Sequence, residues 1–319
     1  MKRNKKNGTK VITRVLRSVA GIFIGISILI YLLSKVGIRE IYDKSVHVNV
    51  SFLIVGLVLL FLGYFLQGLR WYILVSDRYK VTYEHSLMSV FAGLFLNQII
   101  PLNLGFFAKP LLMKTKYKKA SLMFLIQTTI FEIFLNIIVI LILILPLLSI
   151  YYKQIFERAS WWILIILLII LAVWLKRKFV IRMLKKISKI RFNITTVKAV
   201  LISFLIFINQ VVIYYFVVRA FSIELNFFYI SFAALVTLLC SFLVFVPAGI
   251  GIRDGVFMYL LMREGIEMSL GLSVSLSVTI AHIVYLSLIG GMIFTIGFDI
   301  PLKRIISQVK NKLLKQKTI

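Results

Sequence analysis

Long stretches almost free of charge alternate along this chain with short basic ones. Residues 52–69, 122–148, 161–175, 200–218, 227–246 and 272–298 form nearly continuous apolar runs. A helix needs roughly 20 such residues to cross the hydrocarbon of a bilayer, and most of the runs reach that length. A membrane β-barrel would instead alternate polar and apolar positions over segments of about ten residues, a pattern not found here. The spacing predicts an all-α polytopic membrane protein.

The charges between the runs set a topology. Residues 1–17 are strongly basic and precede an apolar stretch over 19–33. No small-residue cleavage pattern follows that stretch, so it reads as a retained first helix and signal anchor. A second helix is expected over 50–70, ending at Arg70, Trp71 and Tyr72, a basic and aromatic group suited to the membrane interface. Residues 84–113 are interrupted by Asn97, Gln98, Pro101, Asn103 and Gly105. Each half is short for a crossing, and Pro and Gly break helices. A re-entrant hairpin that enters and leaves on the cytoplasmic side fits this stretch. Full helices follow at 120–148, 160–175 and 200–218. A second broken hairpin spans 227–262 and enters from outside, and a last helix runs over 272–298. The expectation is six full transmembrane helices plus two broken helical hairpins, or eight spans if both hairpins cross.

This amounts to one integral membrane domain over 1–319. It has a basic cytoplasmic N-terminus (1–14), a basic cytoplasmic linker between halves (176–198) and a basic tail (299–319). In the tail, Ile305, Ile306, Val309, Leu313 and Leu314 make one helical stripe with lysines between, suited to lying on anionic headgroups.

Composition agrees. The chain is 61% apolar and 15% charged, with a mean hydropathy of +1.00, whereas soluble domains run near half apolar and a quarter charged. A net charge of +27 on a soluble protein would point to nucleic acid. Here most of the 38 Lys and Arg fall in 1–17, 70–80, 109–119, 176–198 and 303–317. These stretches share one side of the topology, so the positive-inside rule puts both termini in the cytoplasm of a cell membrane. Cys240 stands alone, which leaves no intrachain disulfide and no cysteine-based metal cluster.

The two broken segments carry the most functional meaning. Both read as apolar helix, Pro, Gly, a basic residue, then a short apolar helix, and they enter from opposite sides. Interrupted segments in corresponding halves point to a transport site on an inverted repeat. Broken backbone in hydrocarbon must be shielded by protein or line a cavity. Two ordinary spans kinked by Pro and Gly are the plainer reading.

The spacing Asn97-x3-Pro101-x3-Gly105-x3-Lys109 and the run Pro247-Ala248-Gly249-Ile250-Gly251-Ile252-Arg253-Asp254-Gly255 resemble signatures of the lysylphosphatidylglycerol synthase transmembrane-region family. The resemblance extends over the whole chain in hydropathy and segment order. It implies a flippase-like membrane protein that moves modified phospholipids or polyprenyl-linked sugars. Phe106 stands where the family usually carries an acid, and Lys109 where it carries an Arg. The acidic-basic run of the next helix is here Glu132 to Asn136, and a common Arg of the last helix is replaced near His282. The soluble aminoacyl-transferring domain of the synthases is expected to be absent, and with it the making of the lipid.

Candidate binding residues follow from position. Arg253 and Asp254 stand near the start of a short helix, where free N–H groups and a guanidinium suit a phosphate. Gly249 and Gly251 would let the backbone approach it. A local ion pair solvated at the outer surface is the alternative. Glu132 lies mid-helix with Asn136 one turn away, and an intramembrane acid is costly unless it serves a function. It titrates, pairs with a cation such as Lys109, or packs in its protonated form. Asn97, Gln98 and Asn103 either contact headgroup hydroxyls or satisfy backbone freed by the break. His282 and the pair Asn209 and Gln210 suit packing hydrogen bonds. No metal, cofactor or catalytic pattern stands out.

The expected activity is therefore translocation, or assisted translocation, of a phospholipid or polyprenyl-linked glycolipid in the cell envelope, without enzymatic chemistry. The expected partners are membrane lipids, anionic phospholipid or lipid-linked sugar, and not nucleic acid. A non-transporting partner of an envelope lipid or polysaccharide enzyme, and a membrane-embedded lipid-modifying enzyme, are the other readings.

Overall fold

The computed structural model describes residues 48–99, 105–151, 194–243 and 251–297, with isolated positions between 30 and 46. Among them the regular structure is entirely helical: α1 (Val50–Ser76), α2 (Tyr83–Ile99), α3 (Gly105–Lys116), α4 (Leu122–Tyr151), α5 (Ile194–Ala220), α6 (Phe227–Leu243), α7 (Ile252–Arg263) and α8 (Met268–Tyr285). A π-helical turn (Leu286–Gly290) carries α8 on into α9 (Gly291–Gly297). α1, α4, α5 and the continuous stretch Met268–Phe294 are long and apolar enough to cross a membrane. The expected helices at 19–33 and 160–175, the turn at 100–104, Gly249 and the basic tail lie outside the described residues.

α1 and α5 pack antiparallel along their whole lengths. Asn49 N–H donates to the Ala220 carbonyl at one end (2.8 Å), and Thr195 donates to Asp77 at the other (2.8 Å). Between these, Gly56 faces Val217 and Gly63 faces Asn209. Lipid supplies no hydrophobic drive for helix association, so close packing through small residues must supply it. A methyl on Gly63 would come 2.8 Å from Asn209 Nδ2. That amide donates instead to the Leu59 carbonyl at 2.9 Å.

The first broken segment folds back on itself. Gly93 of α2 touches the backbone of Lys109, Ser89 Oγ reaches Met113 Sδ (3.6 Å), and Thr82 and His85 both bond the Tyr117 hydroxyl. These pairs share one antiparallel register centred near residue 101, so the legs of α2–α3 enter and leave at the Ser76 end. The second segment behaves alike at the other end. Tyr229 of α6 donates to the Leu260 carbonyl of α7 (2.6 Å). α6 follows the Ala220 end of α5, and α7 ends close to Glu267, which pairs with Lys44 just before α1 (2.8 Å). The two hairpins therefore enter from opposite ends.

The halves repeat in order as well: a long helix, two hairpin legs and a second long helix make up α1 to α4, and the same order returns from α5 to α8. With the hairpins reversed, this is an inverted repeat.

Two expectations change. The second helix does not end at an interface near Arg70. It runs on to Ser76, and Arg70 and Trp71 are buried, at 4% and 0% exposure. Arg70 shares a seven-residue stripe with Gly56 and Gly63, the face turned to α5. The last helix begins at Met268, earlier than expected, and is interrupted by its π turn, which presses Gly290 against the backbone of Phe91 in α2.

Candidate functional site

Three charged side chains meet inside the first half. Glu132 of α4 accepts from Arg70 Nε of α1 (3.1 Å) and, on its other oxygen, from Lys109 Nζ of α3. Arg70 Nη1 also donates to Asn136 Oδ1 (2.7 Å) and to Ser203 Oγ of α5 (2.9 Å). Glu132 and Asn136, one turn apart, thus grip the same guanidinium. The Lys109 ammonium sits 3.9 Å from the centre of the Trp71 ring, a stacking that stabilises a cation. All three charged residues are at least nine-tenths buried.

Lys109 reaches Glu132 because of the break before it. α3 starts at Gly105 and packs tightly on α2, with the Lys109 Cβ only 2.9 Å from where a methyl on Gly93 would stand. Pro110 withdraws the N–H that would bond the Phe106 carbonyl, and Phe106 lines the cavity beside the cluster. That cavity measures about 40 Å³ and is bordered by Gln67, Arg70, Gly93, Lys109, Thr129, Glu132 and Asn136, among others. On this measure a water needs roughly 10–15 Å³, so the cavity has room for a few waters and is too small for a lipid headgroup.

The second half has its own cluster. Gly251 takes a positive φ of 82° to begin α7, a backbone that a side chain would strain. Its N–H donates to Asp254 Oδ2 (2.9 Å). Asp254 Oδ1 accepts from Ser275 (3.0 Å) and Thr279 (2.5 Å) of α8, and Thr279 Oγ1 accepts from Arg253 Nη2 (2.5 Å). Arg253 and Asp254 are buried and meet through the Thr279 hydroxyl, so they are not a solvated surface pair. The Asp254 carboxylate itself caps α7, filling the place expected for a ligand phosphate. Arg253 Nε is buried without a partner among the described residues.

The clusters are counterparts in the repeat. Each sets a basic residue of the short hairpin leg against the same level of the next long helix: Glu132 is the eleventh residue of α4, and Thr279 the twelfth of α8. Tyr214 of α5 packs on Phe257 of α7 with ring centres 4.6 Å apart.

Of the residues expected from sequence, Lys109 and Glu132 come together, and Gly251, Arg253 and Asp254 form the second group. Asn97 is buried on α2 but does not line the cavity, and Asn103 and Gly249 lie outside the described residues. His282 bonds the Tyr64 hydroxyl (2.8 Å). Arg70, Ser203 and Thr279 were missed. The stripe Gly56, Gly63, Arg70 would have pointed to the first, and the four-residue spacing of Ser275 and Thr279 to the last. Nothing in the sequence singles out Ser203. Among the described residues no group of His, Cys, Asp and Glu is placed to hold a metal.

The family model described as the lysylphosphatidylglycerol synthase TM region matches residues 18–290. No curated protein matches the chain.

Proposed function

The chain belongs to the lysylphosphatidylglycerol synthase TM region family, and on that footing we propose that it moves a phospholipid or polyprenyl-linked glycolipid between the leaflets of the cell membrane. The observation that carries this reading is the pair of hairpins inserted from opposite ends, each bringing a basic side chain, Lys109 or Arg253, into a buried polar cluster. Buried charge inside a membrane bundle is costly and marks a pathway. Inverted broken segments supply two half-sites that exchange exposure. The protein does no covalent chemistry in this reading, and its partners are the lipids themselves.

Orientation follows from the ends. Arg78, Lys80, Lys114, Lys116, Lys118, Lys119 and Lys198 stand at the Ser76 end against Asp77 and Glu84. That end faces the cytoplasm by the positive-inside rule. On this reading both termini lie on that side too, where the anionic headgroups of the inner leaflet gather.

The test is transport by the purified chain in liposomes. Fluorescent phosphatidylglycerol, and separately a labelled polyprenyl-phosphate sugar, is placed in the inner leaflet, and its exposure to an impermeant quencher is timed. Wild type speeds exposure of one of them over protein-free vesicles, and Arg253→Gln returns it to the background rate. If wild type accelerates neither, the chain is not a translocase, and a non-transporting role beside an envelope enzyme takes its place.

A further inference from the structure

The first cluster does not balance its charge. Arg70 and Lys109 bring two cations and Glu132 one anion, and the other polar residues lining the cavity, Gln67, Thr129 and Asn136, are neutral. One positive charge is left over at a depth where every unpaired ion is expensive. Arg70 spends Nε and Nη1 on Glu132, Asn136 and Ser203, and its Nη2 has no partner among the described residues. Among the described residues Lys109 bonds Glu132 and rests on Trp71. The cavity opens beside both.

We propose that the Arg70–Lys109–Glu132 cluster is a phosphodiester site, in which one anion sits between Arg70 Nη2 and Lys109 Nζ and its single negative charge cancels the single excess positive one. A guanidinium with a free N–H and an adjacent ammonium is the donor set that phosphate oxygens select. Glu132 holds the two cations in place while the site is empty and competes with the ligand for Lys109. The cavity holds only a few waters, so the anion enters as hairpin α2–α3 shifts, carrying Lys109 away from Glu132. The proposal rests on the translocation reading and gives it a headgroup chemistry and a location in the first half.

Trp71 reports on the site, because the ammonium above its ring must move. The experiment uses the full chain in phosphate-free maltoside detergent, with Trp161, Trp162 and Trp174 replaced by Phe. Trp71 emission is titrated with dihexanoyl-phosphatidylglycerol, inorganic phosphate and uncharged dihexanoylglycerol. The phosphatidylglycerol gives a saturable change and dihexanoylglycerol gives none. Lys109→Met leaves Arg70 and Glu132 balanced and so spares the fold, and it weakens binding about tenfold or more. Glu132→Gln removes the competitor and tightens binding about tenfold. No saturable change in the parent, or unaltered affinity in Lys109→Met, overturns the site. Equal affinity for inorganic phosphate overturns its assignment to lipid and leaves a free-anion site. Liposome flux separates the two claims. Flux that survives in Lys109→Met removes this site from the pathway while translocation stands, and binding without flux in wild type does the reverse.

Discussion

Glu132→Gln is the most informative single change, because it strips from two buried cations the only carboxylate that pairs with either among the described residues. Removing one partner of a buried ion pair costs about 3–5 kcal/mol, since the remaining charge is left unpaired in a low-dielectric interior. Here two cations lose the same partner, which puts the cost at the upper end, about 5 kcal/mol. Lys109→Met is the control. It removes one charge-assisted hydrogen bond, worth about 1.5–3 kcal/mol, but keeps the Arg70–Glu132 bond at 3.1 Å and a side chain of similar length over Trp71. The difference between the variants is then about 2–3.5 kcal/mol. At roughly 2–4 °C per kcal/mol for a domain of 150–250 residues, the melting midpoint of Glu132→Gln falls roughly 4–14 °C below that of Lys109→Met. Cys240, the chain's one cysteine, is partly buried in α6 and gives the assay: its reaction with a thiol-activated fluorophore during heating in detergent. Equal midpoints for the two variants, or wild-type stability in Glu132→Gln, would refute the ion-pair account and mean that Glu132 is held uncharged.

Other changes probe the packing. Gly93→Ala places a methyl 2.9 Å from Lys109 Cβ and 3.3 Å from its backbone, so the hairpin legs must part. It should cost about 1–3 kcal/mol in the same thermal assay. Gly290→Ala meets the Phe91 carbonyl oxygen at 2.7 Å. It should separate the π turn from α2 and destabilise by a similar amount. In a Cys240→Ser background, Asp77→Cys with Thr195→Cys should form a disulfide under mild oxidation, which checks the antiparallel register of α1 and α5 where those residues share a 2.8 Å hydrogen bond. Cysteines placed at Lys118 and Glu264 should react with impermeant maleimide from opposite sides of the membrane.

Much of this fold can be read from the sequence, because a bilayer imposes a length on each apolar run. The helices from Val50 and Leu122 and the legs of both interrupted segments lie where the apolar runs put them, while α5 is already helical at Ile194 and α8 begins at Met268, both earlier than the apolar runs at 200 and 272 suggest. The ends are less legible. Arg70 was placed at the interface by its neighbours Trp71 and Tyr72, yet the side chain finds Glu132, Asn136 and Ser203 on two other helices and the helix continues past it. An ion pair across helices α1, α3 and α4 has no local signature. Lys109 and Glu132 stand 23 residues apart and carry only the general signal of charge in an apolar setting. At Asp254 the sequence suggested a helix start open to a phosphate, but the carboxylate three residues on from Gly251 fills it. That choice depends on the positive φ of Gly251, which residue type permits but does not require.

Alternating exposure of the first-half cavity is the centre of this account, and one labelling experiment addresses it directly. Gln67, which lines that cavity from α1, is replaced by Cys in a Cys240→Ser background and reconstituted in oriented liposomes. Impermeant maleimide is then applied to one side at a time. The account predicts labelling from both sides, faster from the cytoplasmic side, where hairpin α2–α3 enters, and slowed from both by dihexanoyl-phosphatidylglycerol. Labelling from one side only, unchanged by the lipid, would contradict it.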